Sequence, residues 1–211
     1  MSPADISPAR TRPTSPDPTS SGPTRSGDSC VTIETVTDPG AAQAIATVAA
    51  ATFPLACPPH SRPDDIAGFI RDNLGADAFA RYIESAESEV LAARTPDGDY
   101  VGYALVHHRA PTDADVAAVV TAAPASEISK MYVLPDHHAK GRASSPAAAL
   151  MSAALQNAKS RGSAIAWLGV NQENVRAQRF YAKMGFTRAG VKTFNLNGSI
   201  EHDFVLTQAL V

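Results

Sequence analysis

Two cysteines, Cys30 and Cys57, are all that the 211 residues contain, too few for a disulfide framework and with no CxxC pair to hold zinc. Aromatic residues make up only 6% of the chain. No apolar run approaches the ~20 residues that a membrane helix needs. A basic excess is also missing, since 18 Lys and Arg stand against 21 Asp and Glu for a formal charge of -3. These shortages exclude a membrane protein, leave no reason to expect a nucleic-acid partner, and make a reducing cytoplasm the expected compartment. What is present, 44% hydrophobic and 18% charged residues, suits one soluble globular domain.

Residues 1–29 hold six Pro, seven Ser and four Thr, with Ile6 the only large aliphatic after Met1. Such a stretch cannot bury enough to offset its ordering entropy, so it is expected to be a disordered tail. It lacks the apolar core of a secretion signal. The domain is expected over residues 30–211, enough to bury roughly 70% of its unfolded surface.

Hydrophobic period gives the elements in order. Val31–Val36 alternates as a strand, and Asp38-Pro39 offers an N-cap and N1 proline to a helix that Pro54 should stop. Ile66, Phe69, Ile70 and Leu74 mark a second helix that Gly75 is expected to end, with a short third around Phe79–Ile83. Strands at Glu89–Arg94 and Tyr100–His107 flank a Thr95-Pro96-Asp97-Gly98 turn. Residues 109–124 read as an extended, partly helical loop near the acceptor side, followed by a strand at Ile128–Val133. A helix at Ala147–Ala158, a strand at Ala164–Val170, a helix capped by Asn174 and ended by Gly185, and closing strands at Phe186–Gly190 and Asp203–Thr207 complete a mixed α/β layer fold.

The chemistry is concentrated in two segments. Met131 to Leu155 runs strand, small-residue loop, helix, in which consecutive backbone N–H groups and a helix N-terminus can converge on a diphosphate. Lys140 and Arg142 in that loop can neutralise it. The second segment, WLGVNQENVRAQRFYAKMGF at 167–186, presents Asn174, Ala177, Phe180, Tyr181, Gly185 and Phe186. It resembles the strand, Asn-x-x-Ala-x-x-Phe-Tyr helix and Gly-Phe block of the GNAT superfamily of N-acetyltransferases. The loop is similar to that family's acetyl-CoA motif, Gln/Arg-x-x-Gly-x-Gly/Ala, at His138-Ala139-Lys140-Gly141-Arg142-Ala143, with Ser144 following. His138 replaces the Gln or Arg, and four extra residues, about Ser145–Ala148, precede Leu150. A second register places the motif at Arg142–Ala147, with Ser145 as N-cap and Pro146 at N1.

The resemblance implies a mixed, mostly antiparallel sheet splayed between the fourth and fifth strands, with helices on both faces. Acetyl-CoA is the implied co-substrate, its arm lying along Met131, Tyr132 and Val133 like an added strand. Asn174 is then expected to reach the arm from the other side, and Tyr181 to stand near the sulfur as general acid, a phenol of pKa ~10 facing a thiol of pKa ~8.5. For the base, Glu127 is the best-placed carboxylate by sequence. In a regular strand Glu127, Ser129, Met131 and Val133 share a face, which a bulge near Met131 would change. His107-His108 and His137-His138 lack metal-ligand spacing, and no metal is expected.

Charge is divided along the chain. Residues 62–127 carry 5 basic and 12 acidic side chains, residues 128–192 carry 10 basic and 2 acidic. The basic half coincides with the CoA motifs. The acidic half, with Asp64, Asp65, Asp113 and Asp115, suggests a small-molecule primary amine as acceptor, such as a polyamine, and the motif pair with the ATFP helix end is similar to the bacterial spermidine/spermine N-acetyltransferase branch. Protein N-termini and amino acids are alternative acceptors, and a catalytically silent acyl-CoA-binding module is the alternative in kind. Family members are often dimers, so a homodimer is an assembly the resemblance allows.

Overall fold

The computed structural model describes residues 31–138 and 145–210. The proline-rich tail at 1–29 lies outside the described residues, as do Ala139, Lys140, Gly141, Arg142, Ala143 and Ser144 of the loop motif. The elements are β1 (Thr32–Thr35), α1 (Ala42–Thr52), α2 (Pro63–Asn73), α3 (Ala76–Glu84), β2 (Ser88–Arg94), β3 (Tyr100–His107), α4 (Ala114–Val119), β4 (Ala125–Val133), α5 (Pro146–Ser160), β5 (Ile165–Asn171), α6 (Val175–Lys183), β6 (Thr187–Leu196) and β7 (Ser199–Ala209). Seven strands form one sheet in the order β1-β2-β3-β4-β5-β7-β6. Every neighbouring pair is antiparallel except β4–β5. That parallel pair has only three partners, Ala125–Glu127 against Ile165–Trp167, before the strands separate.

Each face of the sheet is covered by the helices whose apolar stripes the sequence displays. On one face α5 sets Leu150, Met151, Ala154 and Ala158 against Leu91, Ala104, Val106, Ile128 and Leu168. On the other, α1 and α3 bring Ile45, Val48, Ala49 and Phe79 onto Val90, Ala92, Tyr103 and Leu105. Further along that second face α4 packs Val116 and Val120 on Ala125, Trp167 and Val205. Among the described residues, no helix is long and apolar enough to cross a membrane.

Local chemistry departs from expectation in four places. Asp38 does cap, its carboxylate accepting from Gly40 N at 2.9 Å, but it opens a 3-10 turn at Pro39–Ala41 ahead of α1. Pro54 sits inside a second 3-10 turn, Phe53–Ala56, which continues α1 rather than breaking it, since a proline in the first turn forfeits no needed N–H. Gly75 is not a left-handed terminator: its φ is -75° and it is the N-cap of α3, where an added Cβ would come within 3.1 Å of the Arg71 carbonyl. The closing strands are longer than the period suggested and join at Asn197-Gly198, whose φ of 49° and 108° make a tight hairpin turn.

In β4 the register with β3 jumps from Ile128↔Val106 to Lys130↔Leu105, so Ser129 is an extra, bulged residue. The bulge separates Glu127 from the face it was expected to share. Ile128, Met131 and Val133 pack toward α5, whereas Tyr132 packs toward α1. Glu127, paired with His107, and Lys130, paired with Leu105, follow Tyr132.

Candidate active site

The sheet parts where β4 loses β5. Beyond Glu127, the edge of β4 that faces β5 has no strand partner through Val133 among the described residues. A cleft of about 330 Å³ occupies the opening, and Glu127, Met131, Tyr132, Val133, His138, Asn174 and Tyr181 all line it. The sequence-derived residues that the structure describes are thus brought together.

Their individual settings differ. The Asn174 side chain caps α6, accepting from Ala177 N at 3.0 Å, and the residue also lines the cleft. Tyr181, on the next turn but one, lies edge-on to Phe180 and Phe186 at ring distances of 5.5 and 6.1 Å. Its hydroxyl has no hydrogen-bond partner among the described residues. Burial, and then the nearby Asp203 carboxylate, push its pKa up to about 12, so it stays protonated across the physiological range.

His138 is occupied on both nitrogens. Arg176 donates to its Nδ1 at 2.7 Å; a guanidinium only donates, so Nε2 carries the hydrogen and donates to the Val133 carbonyl at 2.8 Å. The imidazole therefore ties the end of β4 to α6 and draws an arginine absent from the sequence reading into the cleft wall. Helix α5 begins at Pro146 with the Ser145 hydroxyl accepting from Ala148 N at 3.1 Å. That is the cap the second register assigned, while the residues on which the first register turns lie outside those described.

The cleft also carries a charged set that sequence reasoning missed: Lys130 on β4, Lys192 on β6, and Glu201 and Asp203 on β7. Glu201 and Asp203 are buried to 5% and 8% exposure. Burial first, then the Glu201 carboxylate, raises the Asp203 pKa against the pull of Lys192 and Lys130, which lower it. Burial lowers that of Lys130. Gly169 makes room for the group, since a Cβ there would lie 2.7 Å from Lys192 Cε and 3.0 Å from Asp203 Oδ2. Cys57 also lines the cleft, its thiol pushed up to about 11 by burial and then by Glu201. The available signal was period two in Glu201-His202-Asp203, which places both acids on one face of a strand.

The four aspartates expected to attract a polyamine do not line the cleft. Asp113 caps α4, accepting from Asp115 N and Val116 N. Asp64 and Asp65 lie in the first turn of α2, where Asp65 accepts from Ser199. Residues 109–124 cover the far part of the sheet and also stay clear of the cleft. No cluster of three or more potential metal ligands occurs among the described residues.

An unpaired strand edge can hold an extended amide-bearing arm by backbone hydrogen bonds, and a protonated phenol beside it can serve a leaving thiolate. Acyl transfer from such a thioester is a chemistry that can use both. The chain belongs to the acetyltransferase (GNAT) family, whose model it matches over residues 50–186. It is 45% identical over 170 residues to an uncharacterized N-acetyltransferase of Mycobacterium tuberculosis, covering 81% of this chain and 98% of that protein. Among solved structures, the PaiA N-acetyltransferase from Thermoplasma acidophilum in complex with coenzyme A superposes with a TM-score of 0.63 at 18% identity, covering 84% and 99% of the two chains. The spermidine/spermine N-acetyltransferase SpeG of Vibrio cholerae gives 0.57 at 15% identity, covering 86% and 94%. These structural likenesses establish the fold.

Proposed function

We propose that the chain moves an acetyl group from acetyl-CoA to a primary amine of a small molecule. The observation that carries this reading is the unpaired edge of β4 from Ile128 to Val133, with the unpartnered Tyr181 hydroxyl lining the same opening. The donor supplies an activated acyl group on sulfur. Met131, Tyr132 and Val133 would hold its arm, with Asn174 opposite. His138, the segment Ala139, Lys140, Gly141, Arg142, Ala143 and Ser144, and the start of α5 would hold its phosphates, with Arg176 added by the structure.

The amine arrives as ammonium and gives up one proton before its nitrogen bonds the acyl carbon. Glu127 can receive it directly or through water. As the carbon–sulfur bond breaks, Tyr181 gives its proton toward the departing thiolate and recovers one, directly or through water, as the nitrogen sheds its second proton. A polyamine acceptor, suggested by the sequence, now rests on Glu127, Glu201 and Asp203 rather than on the aspartates of α2 and α4. Incubation with acetyl-CoA and a panel of amines, following free thiol, tests the proposal. Acceptor-dependent release supports it; confirmed CoA binding with release no faster than in buffer would favour the silent binding module.

A further inference from the structure

The cleft is not simply acidic around Glu127, Glu201 and Asp203. Lys130 and Lys192 both line it, and among the described residues neither ammonium has a carboxylate oxygen within ion-pair distance. Lys130 Nζ donates only to its neighbour Ser129, to the carbonyl at 3.1 Å and the hydroxyl at 3.2 Å, and lies 5.8 Å from the centre of the Phe69 ring. Lys192 Nζ lies 5.8 Å from the Trp167 ring. Asp203 is the register partner of Lys192, yet their charged atoms do not pair. Burial and then Lys192 lower the Lys130 pKa against Glu127 and Asp203, which act on it only at longer range, so the two ammoniums share a partly dry cleft with no carboxylate in direct contact among the described residues. An anion entering between them would relieve their mutual repulsion.

The donor's phosphates are poorly placed to be that anion. Lys130 stands three residues before Val133, ~10 Å along the strand, and on the face away from α5. In the same cleft Glu127, Glu201 and Asp203 can receive an ammonium. We infer that the acceptor carries both signs: an amine that is acetylated and an anionic group, such as a carboxylate, that Lys130 and Lys192 hold. The inference rests on the transferase reading above and narrows its substrate class. It disfavours a polyamine, which offers these lysines only further positive charge.

The test compares acceptors of equal chain length at saturating acetyl-CoA, following thiol release: 4-aminobutanoate, 4-aminobutanamide and 1,4-diaminobutane, with their three- and five-carbon counterparts. The expected result is a kcat/KM at least 10-fold higher for the aminoalkanoate than for the amide or diamine of the preferred length. Lys130→Met and Lys192→Met should each raise KM for the aminoalkanoate 10-fold or more while shifting KM for the amide less than 2-fold, and Lys130→Arg should retain part of the preference. CoA binding, measured on each variant, controls for folding. Equal or better turnover of the amide or diamine overturns the inference and leaves the transferase standing, as does a loss of kcat common to all three acceptors in the lysine variants. No turnover of any acceptor by a protein that binds CoA overturns both.

Discussion

Replacing Tyr181 by phenylalanine separates catalysis from binding and folding more cleanly than any other change in the cleft. The ring keeps its edge-on contacts with Phe180 and Phe186, and the hydroxyl removed has no partner to abandon, so stability should change by less than about 0.5 kcal/mol. For catalysis, a phenol pushed up to about 12 lies roughly 3.5 units above a thiol of pKa ~8.5, so complete proton transfer to the departed thiolate is uphill by about 5 kcal/mol until the phenolate is itself reprotonated. The phenol then contributes mainly as a hydrogen-bond donor to charge developing on sulfur. Hydrogen bonds to charged groups are worth about 1.5–3 kcal/mol, which predicts a fall in kcat of roughly 10- to 150-fold. The dissociation constant for CoA should move less than about 3-fold, because the bound thiol carries little of that charge. Because the acid form persists to about pH 12, the wild-type rate should show no alkaline decline attributable to this group below about pH 11. Thiol release under single-turnover conditions, calorimetric CoA binding and thermal melts of both proteins decide the matter. Equal losses in rate and affinity, or an unchanged rate, would refute the role given to the hydroxyl.

Other parts of the structure make independent predictions. Glu89 accepts from His108, Thr35 and Asn157, and the His108 hydrogen bond is the chief cause that holds its carboxyl below the ordinary value. A depressed carboxylate stabilises the fold above its unfolded pKa of ~4.3 and loses that contribution as pH falls through the folded value, so Glu89→Gln should cost about 1–3 kcal/mol at pH 7 and progressively less below pH ~4 in urea titrations. Gly169→Ala meets only the movable ends of Lys192 and Asp203; we expect a melting temperature within ~3 °C of wild type but a several-fold higher acceptor KM with unchanged CoA affinity. A fall in CoA affinity instead would place this glycine at the donor end. Asp113→Ala should remove the α4 cap at a cost of about 0.5–2 kcal/mol and leave every acceptor KM unchanged, since Asp113 stays clear of the cleft; a raised KM would restore the acidic half of the chain as an acceptor-binding surface.

What the chain discloses in advance is its periodicity and its caps. The α5 stripe of Leu150, Met151 and Leu155, the Asn174 cap and the Gly185 stop can be read because each depends on neighbours within one or two turns. The hairpin at Asn197-Gly198 was equally local and could have been found, since that dipeptide favours two positive φ values in succession. The role of Glu127 was harder to place: its facing depends on whether β3 and β4 keep step, and a register jump at Ser129 leaves no mark in the composition of β4. Lys130, Lys192 and Asp203 come from three strands, and only the 4-5-7-6 order of the sheet gathers them. Charge counted along the sequence therefore assigned the acidic half to the acceptor, although its aspartates are spent on helix starts, where a carboxylate meets free N–H groups.

The bulge at Ser129 adds one residue without rotating any other: Ile128 and Lys130 meet consecutive partners on β3 as they would in an unbroken ladder. Removing that single residue would leave each remaining side chain on its present side of the sheet. The pattern of apolar residues and the count of peptide units are therefore separate variables in this strand. A three-nucleotide change could add or remove the kink while the packing on both faces keeps its residues.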